Sequence, residues 1–206
     1  FIGCSLALSI HAVKVPFRKI WHVIAMLPMV IPGIVVVVAY VFLYGGRGFI
    51  GLPLRTVLGI PLNSYPLSGF GGILFIHAFT QYIYFYLLTT EAIEKINMSQ
   101  IEAAKSLGCG KFRIFFEIVL PSFAPYLMGA SVLTFLTASG SFSAPIIVGG
   151  DFRVMSTEIF FNKQVGYINL ASTRAVMLSL FIVIIVFIIR NLELKYFMGK
   201  DFKGSD

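Results

Sequence analysis

The sequence predicts an all-α fold, a polytopic bundle of membrane-spanning helices, and three observations carry that reading. Mean hydropathy is +0.90 and hydrophobic residues make up 58% of the 206 positions. Charged residues make up only 12%, about half the usual share of a soluble domain. The apolar residues fall in runs long enough to cross about 30 Å of hydrocarbon as helices, and the lysines and arginines collect between those runs on alternating sides. A net charge of +7 invites a nucleic-acid reading, but no basic run is interleaved with exposed aromatics, and loops on the cytoplasmic side account for the charge.

Residues 1–13 (FIGCSLALSIHAV) are too short to span as a helix and are expected to be the tail of a span that begins upstream. With Phe1 inside an apolar run and no signal-peptide layout, the chain reads as part of a longer protein. Lys14, Arg18 and Lys19 follow, with Pro16 breaking the helix. Trp21 to Tyr44 is expected to be one complete span kinked by Pro28 and Pro32, which neighbouring helices can accommodate. Residues 45–69, rich in Gly and Pro, form an outer loop, and Phe70 to Thr90 is the second span. Ser122 to Phe142, rich in small residues that permit close helix contact, is the third. Residues 143–169 form a second outer loop, Ala171 to Ile189 the fourth span, and 190–206 a polar tail. Arg174, just inside that last span, is expected to snorkel to the outer interface.

Residues 91–121 stand apart as the one long stretch of real charge density. Glu91, Glu94 and Lys95 extend the preceding helix into water. Ser99 followed by Glu102 has the spacing of a capping box, Ala103, Ala104, Lys105 and Leu107 favour helix, and Gly108 is placed to close it in the left-handed region. The spacing predicts a helix of about eight residues, roughly 12 Å long. A second short helix is expected from Lys111 to Leu120, stopping at Pro121. Eleven of the sixteen lysines and arginines lie on the side of this loop (Lys14, Arg18, Lys19, Lys95, Lys105, Lys111, Arg113, Arg190, Lys195, Lys200, Lys203). Only Arg47, Arg55, Arg153, Lys163 and Arg174 lie on the other, which puts 91–121 in the cytoplasm.

Catalytic constellations are missing from the sequence. Around Gly110-Lys111 a P-loop fails because Phe112 replaces Ser/Thr and Lys105 replaces the first Gly. His11, His22 and His77 have no HExxH context and no metal site is expected. Cys4 and Cys109 read as free thiols. Asn97-Met98-Ser99 fits a glycosylation sequon but lies on the cytoplasmic side. His77 and Gln81 share one face of the second span with Tyr84 a further three residues along. Polar groups at that depth line a pathway or bond a neighbouring helix, and both readings stand.

Glu102-Ala103-Ala104, three residues, Gly108, nine residues, Ile118, one residue and Leu120-Pro121 resemble, at every position and gap, the EAA signature of permease subunits of bacterial ABC importers. SGSFSAPIIVGG with the final span is similar to the MetI-type permease fold, and SFSAPIIVGG followed by FRVMSTEIF resembles permeases for ferric iron, polyamines, thiamine or phosphonates. The resemblance implies a single transmembrane permease domain over 1–206, lacking its N-terminal part, in the bacterial plasma (inner) membrane. It also implies that 91–121 holds the coupling helix, with Ser99, Glu102, Ala103, Ala104, Gly108, Ile118, Leu120 and Pro121 as the ATPase-coupling residues. The implied partners are an ABC ATPase dimer that binds the ATP and Mg, a second permease subunit or fused half, a soluble binding protein at the outer face, and membrane lipid. The chain itself would be no enzyme. The alternative function is a secondary transporter or channel that needs no ATP.

Overall fold

The structure, a computed structural model, describes residues 1–12, 15–61 and 67–201, without the side chains of residue 12 and of 193–201. Lys14 and Lys203, and the side chains of Lys195 and Lys200, which entered the charge count above, lie outside the described residues. Every regular element among the described residues is helical. In order these are α1 (Ile2–Ala7) continued by a π turn (Leu8–Ala12), α2 (Arg18–Val30), α3 (Gly33–Tyr44), α4 (Gly51–Leu58) and α5 (Gly69–Glu94). Then come α6 (Met98–Ser106), α7 (Lys111–Ile114) with a π turn (Phe115–Val119), α8 (Leu120–Ser139), α9 (Ser143–Val148), α10 (Met155–Gln164) and α11 (Ile168–Asp201).

Among the described residues three helices are long and apolar enough to cross a membrane: α5, the continuous run Lys111–Ser139, and Ile168–Leu192 within α11. The expected first span is two helices, α2 and α3, bent by 101° at their junction, which together are long and apolar enough for a broken span or a re-entrant loop. Pro28 is absorbed inside α2, whereas Pro32 removes a backbone donor and drives Ile31 away from the α region. Pro32 itself then caps α3 with φ −54° and ψ 134°.

Pro121 also behaves differently from expectation, since the helix runs through it. The π turn just before it is the reason: Leu120 N–H bonds Phe115 C=O, five residues back, and the register shift relieves the ladder where the ring would clash. The outer loops contain helices of their own, and the expected polar tail continues α11 to Asp201.

The chain divides into two compact units. The first comprises Phe1–Ala25, Tyr82–Thr134 and Val186–Asp206. Within it, one face of α5 presents Tyr82, Tyr86 and Thr89, with Tyr86 completely buried. The segment around Gly3 packs on that face so closely that a Cβ there would stand 2.3 Å from the Tyr82 carbonyl oxygen. Glycine permits such contact. Tyr82 donates its hydroxyl to Ala25 C=O at 2.9 Å, and Thr89 donates to Cys4 Sγ at 3.4 Å.

The second unit comprises Met26–Gln81 and Phe135–Ile185. Its core is Val37 and Tyr40 of α3, Ile73 and Ile76 of α5, and Ala144 and Val148 of α9. Lipid is as apolar as these side chains, so their packing rather than escape from water holds them together. Tyr40 adds a hydroxyl bond to Leu67 C=O and stacks on Tyr44 with ring centroids 5.7 Å apart.

Candidate functional site

The loop between the α5 span and the Lys111–Ser139 span folds as a short rod defined at both ends. Asn97, extended at φ −78° and ψ 96°, is the N-cap, and its side chain accepts from Ser99 N–H at 3.1 Å. This corrects the expected cap. Ser99 already lies inside the helix, and its hydroxyl donates to Asn97 Oδ1 at 2.6 Å. Among the described residues no bond joins the Glu102 carboxylate to Ser99. The short amide of Asn97 is sterically suited to reach the second helical amide.

At the other end the helix closes in a Schellman motif. Gly108 N–H bonds Lys105 C=O at 2.9 Å and Cys109 N–H bonds Ala104 C=O at 3.0 Å. Gly108 has the left-handed φ of 79° anticipated from sequence. Gly110, again extended, then starts α7.

No residue of α6 is buried. Glu102 and Ala103 are exposed and Ala104 is half-buried. Ile118 and Pro121 line a shallow cleft of about 230 Å³ with Gln100, Glu117 and Ser122, which sets the end of the motif beside Gln100, two residues before Glu102. Leu120 is exposed beside it. Sequence reasoning missed the apolar rim: Leu107 is 83% and Phe112 85% exposed, either side of the Gly108 turn, with Met98, Phe115 and Phe116 also exposed in the same segment. The signal was available as two large apolar residues flanking a glycine in a charged loop.

In the second unit, Gln81 Oε1 accepts from Thr137 Oγ1 at 2.8 Å, so Gln81 makes the helix–helix hydrogen bond that was one of its two readings. His77 differs: its Nε2 is buried and has no partner among the described residues. Tyr84, in the first unit, is half-buried. Arg174 does not snorkel freely. It pairs with Glu158 Oε2 at 2.6 Å, while Arg153 holds Oε1 at 3.2 Å, and the two guanidiniums, Arg153 first, lower the Glu158 pKa.

Apolar helices long enough to cross a membrane, with a capped polar helix between two of them, define the class as an integral membrane protein. The chain belongs to the family described as the binding-protein-dependent transport system inner membrane component, whose model matches residues 1–196. It is 29% identical over 196 residues to the probable ABC transporter permease protein y4fN of Sinorhizobium fredii, covering 94% of this chain and 34% of that protein. To the ferric transport system permease protein FbpB of Actinobacillus pleuropneumoniae it is 28% identical over 214 residues, covering 98% of this chain and 30% of that one. The chain thus spans about a third of the length of these curated relatives. A chain of the MetNI methionine ABC transporter, solved in an inward-facing form, shares the fold with a TM-score of 0.69 at 16% identity, over 95% of this chain and 86% of that chain. By that family, this chain is an inner membrane component of a binding-protein-dependent transport system.

Proposed function

We propose that the chain is one permease half of an ABC importer in a bacterial plasma membrane, and that residues 97–121 are the lever through which a separate ATPase dimer moves it. The observation that carries this is the lever's construction: capped by Asn97, closed at Gly108, with no buried residue in α6 and with Leu107 and Phe112 presented outward. An exposed apolar pair on a rigid polar rod suits a partner surface. ATP and Mg are bound by that partner. A soluble binding protein delivers substrate at the outer face, and a second permease subunit or half completes the path. Ser99 has no capping part in this reading, while Glu102, Ala103, Ala104, Ile118, Leu120 and Pro121 shape and seat the lever.

His77, buried with an unsatisfied ring nitrogen, is the path residue in this reading. Gln81 positions the helix beside it, and Tyr84 continues the polar line along α5. Similarity to FbpB, a ferric transport system permease, supports ferric iron among the substrates that the sequence resemblance implies.

Reconstituting the full importer in proteoliposomes tests both parts. Leu107→Ser with Phe112→Ser should insert normally yet lose most of the co-purifying ATPase. His77→Ala should keep the ATPase and lower transport several-fold. Full ATPase retention by the first variant would remove the lever from this role, and unchanged transport by the second would return His77 to a packing role.

A further inference from the structure

In the first unit, two histidines, a tyrosine and an arginine meet. Tyr86 Oη lies 2.7 Å from His22 Nδ1 and 3.2 Å from His11 Nε2. The Arg18 guanidinium sits on His11 Nδ1. The imidazoles meet edge to face with centroids 5.3 Å apart, and Tyr86 has no exposed surface. Hydrogen-bond chemistry orders these contacts. A guanidinium only donates, so His11 Nδ1 must carry the lone pair and its proton sits on Nε2. That Nε2–H donates to Tyr86 Oη. The tyrosine hydroxyl hydrogen is then left to donate to His22 Nδ1, whose own proton is therefore also on Nε2. Each contact sets the next, and the chain runs one way: Arg18 to His11 to Tyr86 to His22.

We propose that these four residues are a proton-sensitive latch: a directional hydrogen-bond relay that ties the first helical segment and α2 to α5 while both imidazoles are neutral, and releases them when either takes a second proton. A proton on His11 Nδ1 would point at the Arg18 guanidinium and abolish its acceptor. A proton on His22 Nδ1 would set two donors against each other and break the bond from Tyr86 to α2, leaving the Thr90 hydroxyl on α5 itself as the other acceptor within reach of Tyr86. The surrounding charges do not offset this. Glu94 lies 4.0 Å from Arg18 and is exposed, and the Tyr82 hydroxyl is engaged by Ala25 C=O. Tyr86 lies about two turns before the end of α5, the helix that leads directly to Asn97 and the lever. The latch thus holds the base of that lever.

The test uses the full protein in lipid nanodiscs with ¹⁵N-labelled histidine. There are three histidines, assigned with His11→Gln and His22→Asn. Near neutral pH, His11 and His22 should both appear as the neutral Nε2–H tautomer. Tyr86→Phe should release the tautomer of His22 and leave that of His11 in place. An Nδ1–H tautomer or an imidazolium at either position, or an unchanged His22 in Tyr86→Phe, overturns the relay. Should Tyr86→Phe fail to assemble, the wild-type spectrum decides the tautomers alone.

A second arm follows hydrogen exchange of residues 82–90 as pH falls from about 8 to about 5, across the histidine range, corrected for the intrinsic pH dependence of exchange. Wild type should lose protection. The double variant His11→Gln with His22→Asn supplies amide groups that can make the same bonds without titrating, and should keep it. A wild type that stays protected, or a double variant that opens equally, overturns the proton sensitivity.

Discussion

Two polar segments join spans in this protein, and they are built on opposite plans. The segment 97–121 is self-supporting: α6 is secured by its own cap and its own Schellman closure, and none of its residues is buried. The outer segment 143–164 is supported by its surroundings. Ala144, Pro145 and Val148 are buried in α9 and Thr157 in α10. Ser156 donates to Ser141 C=O at 2.9 Å, and Glu158 is held by Arg153 and Arg174. In the proposed reading, a helix that transmits force to another subunit keeps its side chains available and takes rigidity from backbone bonds, whereas a helix packed into the bundle gives its side chains to the core. Of the four charged residues in the outer segment, Asp151, Arg153, Glu158 and Lys163, Arg153 and Glu158 are paired with each other.

The sharpest way to break this contrast is to enlarge one alanine in each segment. Ala144 is 2% exposed, and Ala144→Leu overpacks α9, which typically destabilises by about 1–3 kcal/mol. Ala103→Leu, on the exposed helix, should leave stability within about 0.5 kcal/mol of wild type. Thermal unfolding in detergent should separate the two clearly, and equal shifts would mean that α6 is packed after all.

A smaller effect distinguishes the two caps. Asn97→Ala should weaken α6 by about 1 kcal/mol, seen as faster hydrogen exchange over 98–106. Ser99→Ala, which removes only a bond to Asn97 Oδ1, should cost less. If Ser99→Ala is the more harmful of the two, the capping assignment reverses.

How much of this was legible in the sequence follows from range. A span needs about twenty apolar residues in a row, which is why α5, the Lys111–Ser139 run and α11 were visible as composition, with ends displaced by as little as one residue at Gly69 and by about three turns at Lys111. Gly108 was visible because a left-handed closure is local chemistry. The Asn97 cap was equally local, yet Ser99 with Glu102 matched a stronger pattern three residues apart and masked it. Pro121 misled because a proline stops a helix only when the preceding ladder is regular, and here a π turn occupies Phe115–Val119. The partners of Arg174, Gln81 and His22 lie 16, 56 and 64 residues away. No periodicity reports such pairs.

The smallest effect concerns the outer segment. Because the guanidiniums lower the Glu158 pKa below that of an unfolded chain, the pairing stabilises fully above the ordinary glutamate range and is lost as pH falls through the lowered value. Acidification in that window should lower the unfolding temperature slightly more for wild type than for Glu158→Gln. The behaviour of α6, which has no such pair, should be the same in both.

The central claim is that residues 97–121 work as a rigid lever, and Gly108→Val tests it most directly. A Cβ at this position meets nothing within 4 Å, so the substitution adds no clash, and its effect comes from the φ of 79°, which a β-branched residue resists at a cost of about 1–2 kcal/mol. The spans are untouched, so the protein should still insert. The measurement is paired in proteoliposomes: ATPase subunit retained per permease, and substrate transported per ATP hydrolysed. The account predicts normal insertion with reduced ATPase retention, reduced coupling, or both. Full retention together with full coupling would contradict it.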